Sequence, residues 1–158
     1  MPEFSLISIW LIPAPIEAVW SCLVETEAWP NWWKYVEAVE ETAPGESSGL
    51  NNIRHYYWHT CLPYCLTLNL RVTKIDPRHL VAVEVSGDLK GDGCCQLSYQ
   101  PAKAQTRVVF HWNVQTCKPW MNWFTALTRP VFTWNHNRVM KQGEQGLIRH
   151  LAYRKQTL

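Results

Sequence analysis

Tryptophan constrains this chain more than any other residue, because ten of its 158 residues are tryptophans. They fall in three places: an early stretch typical of a helix, several runs typical of strands, and a C-terminal segment with helical spacing. A tryptophan side chain is large and has few rotatable bonds, so it suits the wall of an apolar cavity as well as a solid core. The sequence therefore predicts an interior with aromatic walls that enclose an apolar molecule.

Composition and charge narrow the class of protein further. Apolar residues make up 47% of the chain and charged residues 18%, which is typical of one globular domain spanning residues 1–158. The formal net charge of +2 is too small to indicate nucleic-acid binding. The N-terminus lacks the basic start of a signal peptide, and no apolar run approaches the roughly 20 residues of a membrane span. We therefore expect a cytoplasmic protein without an integral membrane segment, and its six cysteines to be reduced.

Hydrophobic spacing predicts mixed α and β structure. Residues 3–12 indicate a strand, Ile16–Glu25 an amphipathic helix, Trp29–Tyr35 a second short helix, and Val36–Thr42 a short strand. The glycine-rich residues 87–93 indicate a turn. Strands at intervals of about ten residues indicate an antiparallel meander. Its predicted members are Ile53–Thr60, Leu66–Ile75, Leu80–Ser86, Cys94–Gln100 and Thr106–Gln115.

The C-terminal part of the chain changes to helical spacing from Lys118 onward, with a break or kink expected at Pro130. Beyond that proline about 20 residues form a helix roughly 30 Å long, enough to lie along the whole sheet. One apolar face of that helix is predicted to contain Phe132, His136, Val139, Met140, Gly143, Leu147 and Leu151.

Four segments of the chain are similar to a known superfamily. They are IPAPIEAVWSCLVETEAWPNWWKYV, VEVSGDLKGDG, FHWNVQTCKPWM and RPVFTWNHNRVMKQGEQGL. With this element order, the chain resembles the polyketide cyclase/dehydrase and lipid-transport superfamily, which includes START domains and birch-pollen-allergen-like proteins. The resemblance implies an α+β helix-grip fold, in which a curved antiparallel sheet wraps a long C-terminal helix after two short helices. It also implies a cavity for a hydrophobic ligand between sheet and helix, and it does not imply a reaction.

The cavity walls follow from the inward faces of these elements. We expect a small hydrophobic molecule, such as a lipid, a quinone or a polyketide, to bind there without a cofactor. Arg54 and His136 would supply the polar contacts that orient it. The expected ligand-binding residues are Arg54, Tyr56, Trp58, Leu68, Leu70, Phe110, Trp112, Phe132, His136 and Met140.

Two of these assignments stay open in the sequence. If the hairpin at residues 61–64 pairs Trp58 with Leu68, then Arg54 faces inward, whereas a one-residue shift turns His55 and His59 inward instead. An inward guanidinium needs an acidic partner or an anionic ligand group. His136 is either a structural histidine bonded to a neighbour or a ligand-contacting residue.

Other kinds of site find less support. His55 and His59 lie about 13 Å apart on a strand, too far to share a metal ion, so no metal site is expected. No serine or cysteine relay can be assigned, and the catalytic residues are unknown. Two alternatives to ligand binding remain: a cyclase or dehydratase acting on a polyketide-like substrate, and an interaction module with a solid core. The module would expose Trp32, Trp33, Trp120 or Trp123 to a partner. The oligomeric state is not indicated.

Overall fold

The structure, a computed structural model, describes residues 3–60, 62–117, 119 and 125–156. Strand β1 is followed by helix α1, a 3-10 helix, six further strands and a long C-terminal helix. The bounds of the first four elements are β1 Glu3–Ile12, α1 Ile16–Val24, the 3-10 helix Thr26–Asn31, and β2 Val36–Ala43. The other bounds are β3 Ile53–His59, β4 Cys65–Asp76, β5 Leu80–Gly87, β6 Leu89–Gln100, β7 Gln105–Thr116 and the C-terminal helix Thr125–Gln156.

Among the described residues, seven strands form one curved antiparallel sheet in the order β1-β7-β6-β5-β4-β3-β2. The first two strands of the sequence therefore lie at opposite edges, joined through α1 and the 3-10 helix. The predicted order of one strand, two short helices, six strands and a long helix is confirmed.

Alternation along the strands decides which side chains enter the core. In β7 the side chains of Val108, Phe110 and Val114 are buried, as the sequence pattern predicts. Leu68 and Leu70 of β4 are buried in the same way. On β5 Val85 is buried, whereas Glu84 is exposed and pairs with Arg71 on the outer face.

The structure differs from the sequence prediction in two places. Residues 87–93 do not form one long turn, because β6 begins at Leu89, and Gly91 and Gly93 lie within the strand. The C-terminal helix continues through Pro130, so the expected break is absent, and the proline costs the helix one backbone hydrogen bond.

Five tryptophans form a single aromatic cluster, called the tryptophan cluster below: Trp10, Trp29, Trp32, Trp33 and Trp58. The ring of Trp33 touches the other four, with centroid separations of 5.1 Å to Trp10 and Trp29, 5.6 Å to Trp32 and 4.9 Å to Trp58. Such pairs each add about 0.5–1.5 kcal/mol beyond the burial of their area. Because Trp32 and Trp33 are buried, the prediction that they present a partner surface is wrong, and Trp120 and Trp123 lie outside the described residues.

The C-terminal helix packs directly on this cluster through two glycines. A Cβ atom at Gly143 would lie 2.6 Å from Trp10 Cζ2 and would also overlap the Trp33 ring. At Gly146 it would overlap the carbonyl oxygen of Trp32. The Trp33 indole N–H donates to the carbonyl of Val139 at 2.9 Å, which attaches the cluster to the helix by a hydrogen bond as well.

Glu144 attaches the same helix to the edge of the sheet. Its side chain is buried, and its Oε2 accepts a hydrogen bond of 3.0 Å from the backbone N–H of Leu11. Lys141 Nζ lies 2.8 Å from the other carboxylate oxygen. Since β1 is an edge strand, its outer N–H groups need partners outside the sheet, and the helix supplies one.

Replacing Gly143 by alanine is expected to destabilise the fold. In an exposed helix this change stabilises by about 1 kcal/mol. Here the methyl group has no space, and overpacking of this kind costs about 1–3 kcal/mol. Urea unfolding should show a net loss of stability for Gly143→Ala and almost none for Gln145→Ala, an exposed position on the same helix. Equal or higher stability of Gly143→Ala would contradict the close packing.

Candidate functional site

Two cavities, each partly open to solvent, lie among the described residues on the inner side of the sheet. The larger has a volume of about 350 Å³ and lies between the sheet and the elements α1 and the 3-10 helix. The smaller has a volume of about 120 Å³ and lies between the sheet and the C-terminal helix. We call them the large chamber and the small chamber. The sequence predicted one cavity against the C-terminal helix, but no described residue of that helix lines the large chamber.

The predicted ligand-binding residues divide between the chambers. Arg54, Tyr56, Leu70 and Phe110 line the large chamber. Trp112 lines both. The remaining five line the small chamber: Trp58, Leu68, Phe132, His136 and Met140. The two polar residues expected to orient one ligand, Arg54 and His136, therefore face different chambers.

The register of β3 decides the direction of Arg54. Arg54 is opposite Leu70, and Trp58 is opposite Leu66 rather than Leu68. A difference of two residues keeps every side chain on the same face, so Arg54 still faces inward. His55 lies on the other face, where its Nδ1 is 2.6 Å from Asn69 Oδ1, and His59 pairs with Glu37 at 3.1 Å while also lining the small chamber.

Arg54 forms the charged part of the large chamber's wall. Its Nε donates to Glu27 Oε1 at 2.7 Å, and its Nη2 lies 3.7 Å from Glu41 Oε2. Only 21% of the Arg54 side chain is exposed, so the two acidic partners offset the cost of placing a cation at the edge of an apolar space. A guanidinium has five N–H donors, so these two contacts leave donors for a ligand.

Other polar groups adjoin Arg54. Burial raises the pKa of the Tyr56 hydroxyl, although the Thr26 and Arg54 side chains beside it oppose that rise. Asn52 Nδ2 donates to Glu41 Oε2 at 2.9 Å and to the carbonyl of Pro44 at 3.2 Å. Thr26 and Asn52 also line the large chamber. The sequence reasoning missed both, because each lies at an element end or in a loop, where alternation gives no signal.

Two adjacent cysteines line the large chamber as well. Burial raises the pKa of the Cys95 thiol strongly and that of Cys94 to a smaller degree. The reactive thiolate form is therefore disfavoured at both positions. Cys22 and Cys117 are also free, and Cys61 lies outside the described residues.

His136 lines the small chamber from the C-terminal helix, beside the polar residue Asn135. Its burial lowers the pKa of the imidazole to about 4, so the ring is neutral at physiological pH. Its Nε2 lies 3.3 Å from the hydroxyl of Ser8, which faces inward from β1. In the part of the chain that the structure describes, no carboxylate orients this ring, so the arrangement lacks the third member of a serine–histidine–acid relay.

Neither a metal site nor a membrane span is found among the described residues. No three metal-ligating side chains converge in residues 3–60, 62–117 and 125–156. None of the described helices combines the length and the apolar character that crossing a bilayer requires.

Comparison with known proteins places the chain in a family. A family model described as polyketide cyclase/dehydrase and lipid transport matches residues 10–151. The chain belongs to this family. No curated protein matches the chain significantly.

Several solved structures are similar to this chain in fold over most of its length. The Zhui aromatase/cyclase from a Streptomyces species superposes with a TM-score of 0.78 at 13% identity, covering 97% of this chain and 96% of that one. The protein TTHA0849 from Thermus thermophilus gives 0.68 at 18% identity, with 94% and 99% covered. The di-domain ARO/CYC BexL gives 0.74 at 15% identity, with 94% and 50% covered. At these identities the likeness establishes the fold alone.

The lowered pKa of His136 makes stability depend on pH in a defined window. Below about pH 6.5 the unfolded chain binds a proton at this histidine, whereas the folded protein does not until about pH 4, so stability falls as the pH is lowered between these values. The shift is worth roughly 3 kcal/mol at its limit. Between about pH 7 and pH 4.5, wild type should lose about 2–3 kcal/mol more than His136→Gln in urea unfolding. Equal losses in the two proteins would show that His136 is not buried as described.

Proposed function

We propose that this protein binds a small, largely apolar molecule with one polar end, such as a lipid, a quinone or a polyketide, in the large chamber. The observation that carries the proposal is a chamber of about 350 Å³ with an arginine in its wall. That volume lies within the range of small-molecule sites.

The wall of the large chamber suits a ligand that has an apolar body and one polar end. Most of its wall is aliphatic or aromatic, with Leu70, Val83, Leu97 and Phe110 among the residues that face it. Burying apolar ligand surface there contributes about 25 cal/mol per Å² before the costs of binding are subtracted. Arg54 and the groups beside it can hydrogen-bond a hydroxyl, carbonyl or carboxylate at one end of the ligand.

The family supports this proposal through its description, which combines cyclase/dehydrase enzymes with lipid transport. Both activities require a site for an apolar molecule. Of the ligand-binding residues predicted from the sequence, Arg54, Tyr56, Leu70, Phe110 and Trp112 line the large chamber, which is the principal site, and the other five line the small chamber.

A cyclase or dehydratase activity is the second candidate, and the position of His136 in the wall of an apolar chamber favours it. With a pKa of about 4 the neutral ring is a weak base, so its role would be to hydrogen-bond and orient a polar group of the substrate. An enzyme of this kind would need a ligand that reaches the small chamber, because His136 does not line the large one. Loss of turnover in His136→Gln with unchanged ligand affinity would distinguish a catalyst from a carrier.

A matched pair of ligands tests the role of Arg54. Isothermal titration should detect binding of both para-butylphenol and butylbenzene to the wild-type protein, with the phenol bound more tightly. In Arg54→Met the phenol should bind roughly 10-fold to 100-fold more weakly, the value of a hydrogen bond to a charged group. Butylbenzene should change by less than about twofold, because it makes no such bond.

Arg71→Met provides the control for this experiment. Arg71 pairs with Glu84 and Asn51 on the outer face of the sheet, away from both chambers. Its replacement should leave the affinities of both ligands unchanged. Absence of binding to the wild type would contradict the proposed function, and equal losses of phenol and hydrocarbon in Arg54→Met would contradict the polar role of Arg54.

A further inference from the structure

The boundary between the two chambers crosses the sheet at a defined level. On β3 it lies between Trp58, which faces the small chamber, and Tyr56, which faces the large one. On β4 it lies between Leu68 and Leu70 in the same way. Inward-facing neighbours on a strand are about 7 Å apart, roughly the width of one aromatic ring. At the sheet, the wall between the chambers is therefore no wider than this spacing.

Trp112 on β7 is the residue that occupies this boundary. Among the described residues, it alone lines both chambers. Its side chain is only partly buried, in contrast to Trp10 and Trp33 in the core of the tryptophan cluster.

Gly93 leaves the space that the Trp112 ring occupies. The two residues are opposite each other in the pairing of β6 with β7. A Cβ atom at Gly93 would lie 3.0 Å from Trp112 Cε3 and 3.1 Å from Cζ3, so the indole lies against the bare backbone of β6. A side chain at this position would push the ring away from the sheet. The glycine in the strand thus explains why a residue as large as tryptophan fits at the boundary.

The distance from Arg54 to this wall sets the length of ligand that fits in the large chamber. On β3 the wall lies midway between Tyr56 and Trp58, three residues after Arg54. At the rise of a strand, the distance from Arg54 to the wall is therefore about 10 Å. A ligand whose polar end is held by Arg54 meets the wall after that length. Any longer ligand needs the space of the small chamber.

We propose that Trp112 is a specificity-determining residue that limits the length of the bound molecule by closing the large chamber from the small one. This inference rests on the proposed function, since it assumes that the ligand's polar end lies at Arg54. The accepted ligands are then amphiphiles of about 10 Å. Removing the indole joins the chambers and admits longer chains that extend toward Met140 and His136.

A series of para-alkylphenols, from ethyl to octyl, tests this proposal by isothermal titration. For the wild type, affinity should rise to a chain length near butyl and then level off or fall. For Trp112→Leu it should continue to rise by about fourfold for each added methylene beyond that point, because each one is buried in the joined chamber. Trp112→Phe keeps a smaller ring, so the chain length at which affinity stops rising should increase by fewer methylenes than in Trp112→Leu.

Trp134→Leu is the matched control, since Trp134 is an exposed tryptophan on the C-terminal helix and lines neither chamber. It should keep the wild-type limit. Thermal unfolding shows whether each variant is folded. If Trp112→Leu does not fold, the comparison is made with Trp112→Phe. An unchanged limit in the folded Trp112 variants, with normal binding of para-butylphenol, would overturn the role of Trp112 alone. Failure of the wild type to bind any member of the series would overturn the proposed function and this inference together.

Discussion

The contact between Trp33 and the C-terminal helix is the interaction on which the rest of the structure depends. Trp33 touches every other ring of the tryptophan cluster and donates a hydrogen bond to Val139. The helix can approach these rings only because position 143 has no side chain. The cluster thereby connects β1, the 3-10 helix, β3 and the C-terminal helix at one place in the core.

This arrangement explains how a chain rich in large aromatic residues leaves space inside. Rings of this size determine the distance between the sheet and the helices that cover it. On β4, β5 and β6 the chamber is lined by smaller side chains, among them Leu70, Val81, Val83 and Leu97, which do not fill that distance. The large chamber is the part of the interior that remains. A partly open space of about 350 Å³ gives a small molecule both room and a route of entry.

Much of the fold could be predicted from the sequence, because alternation along β4 and β7 and helical spacing after Pro130 carry strong signals. The inward direction of Arg54 was predicted as one of two alternatives, and the register observed differs by two residues from the one assumed, which leaves the face unchanged. The division into two chambers could not be predicted. It depends on the Trp112 ring lying over Gly93, and the sequence suggested a turn where that glycine lies in β6. The acidic partners of Arg54 were also missed, since Glu27 and Glu41 come from the 3-10 helix and from an edge strand with irregular register.

If the large chamber is open space for a ligand rather than tightly packed core, a larger side chain can fill it without destabilising the fold. Val83 faces the chamber from β5, whereas Val109 faces outward from β7 and provides the matched control. Val83→Phe should lower the affinity for para-butylphenol at least tenfold in isothermal titration, while its free energy of unfolding stays within about 1 kcal/mol of that of Val109→Phe. A loss of about 3 kcal/mol or more in Val83→Phe alone, as expected for overpacking a solid core, would show that the chamber is not open space.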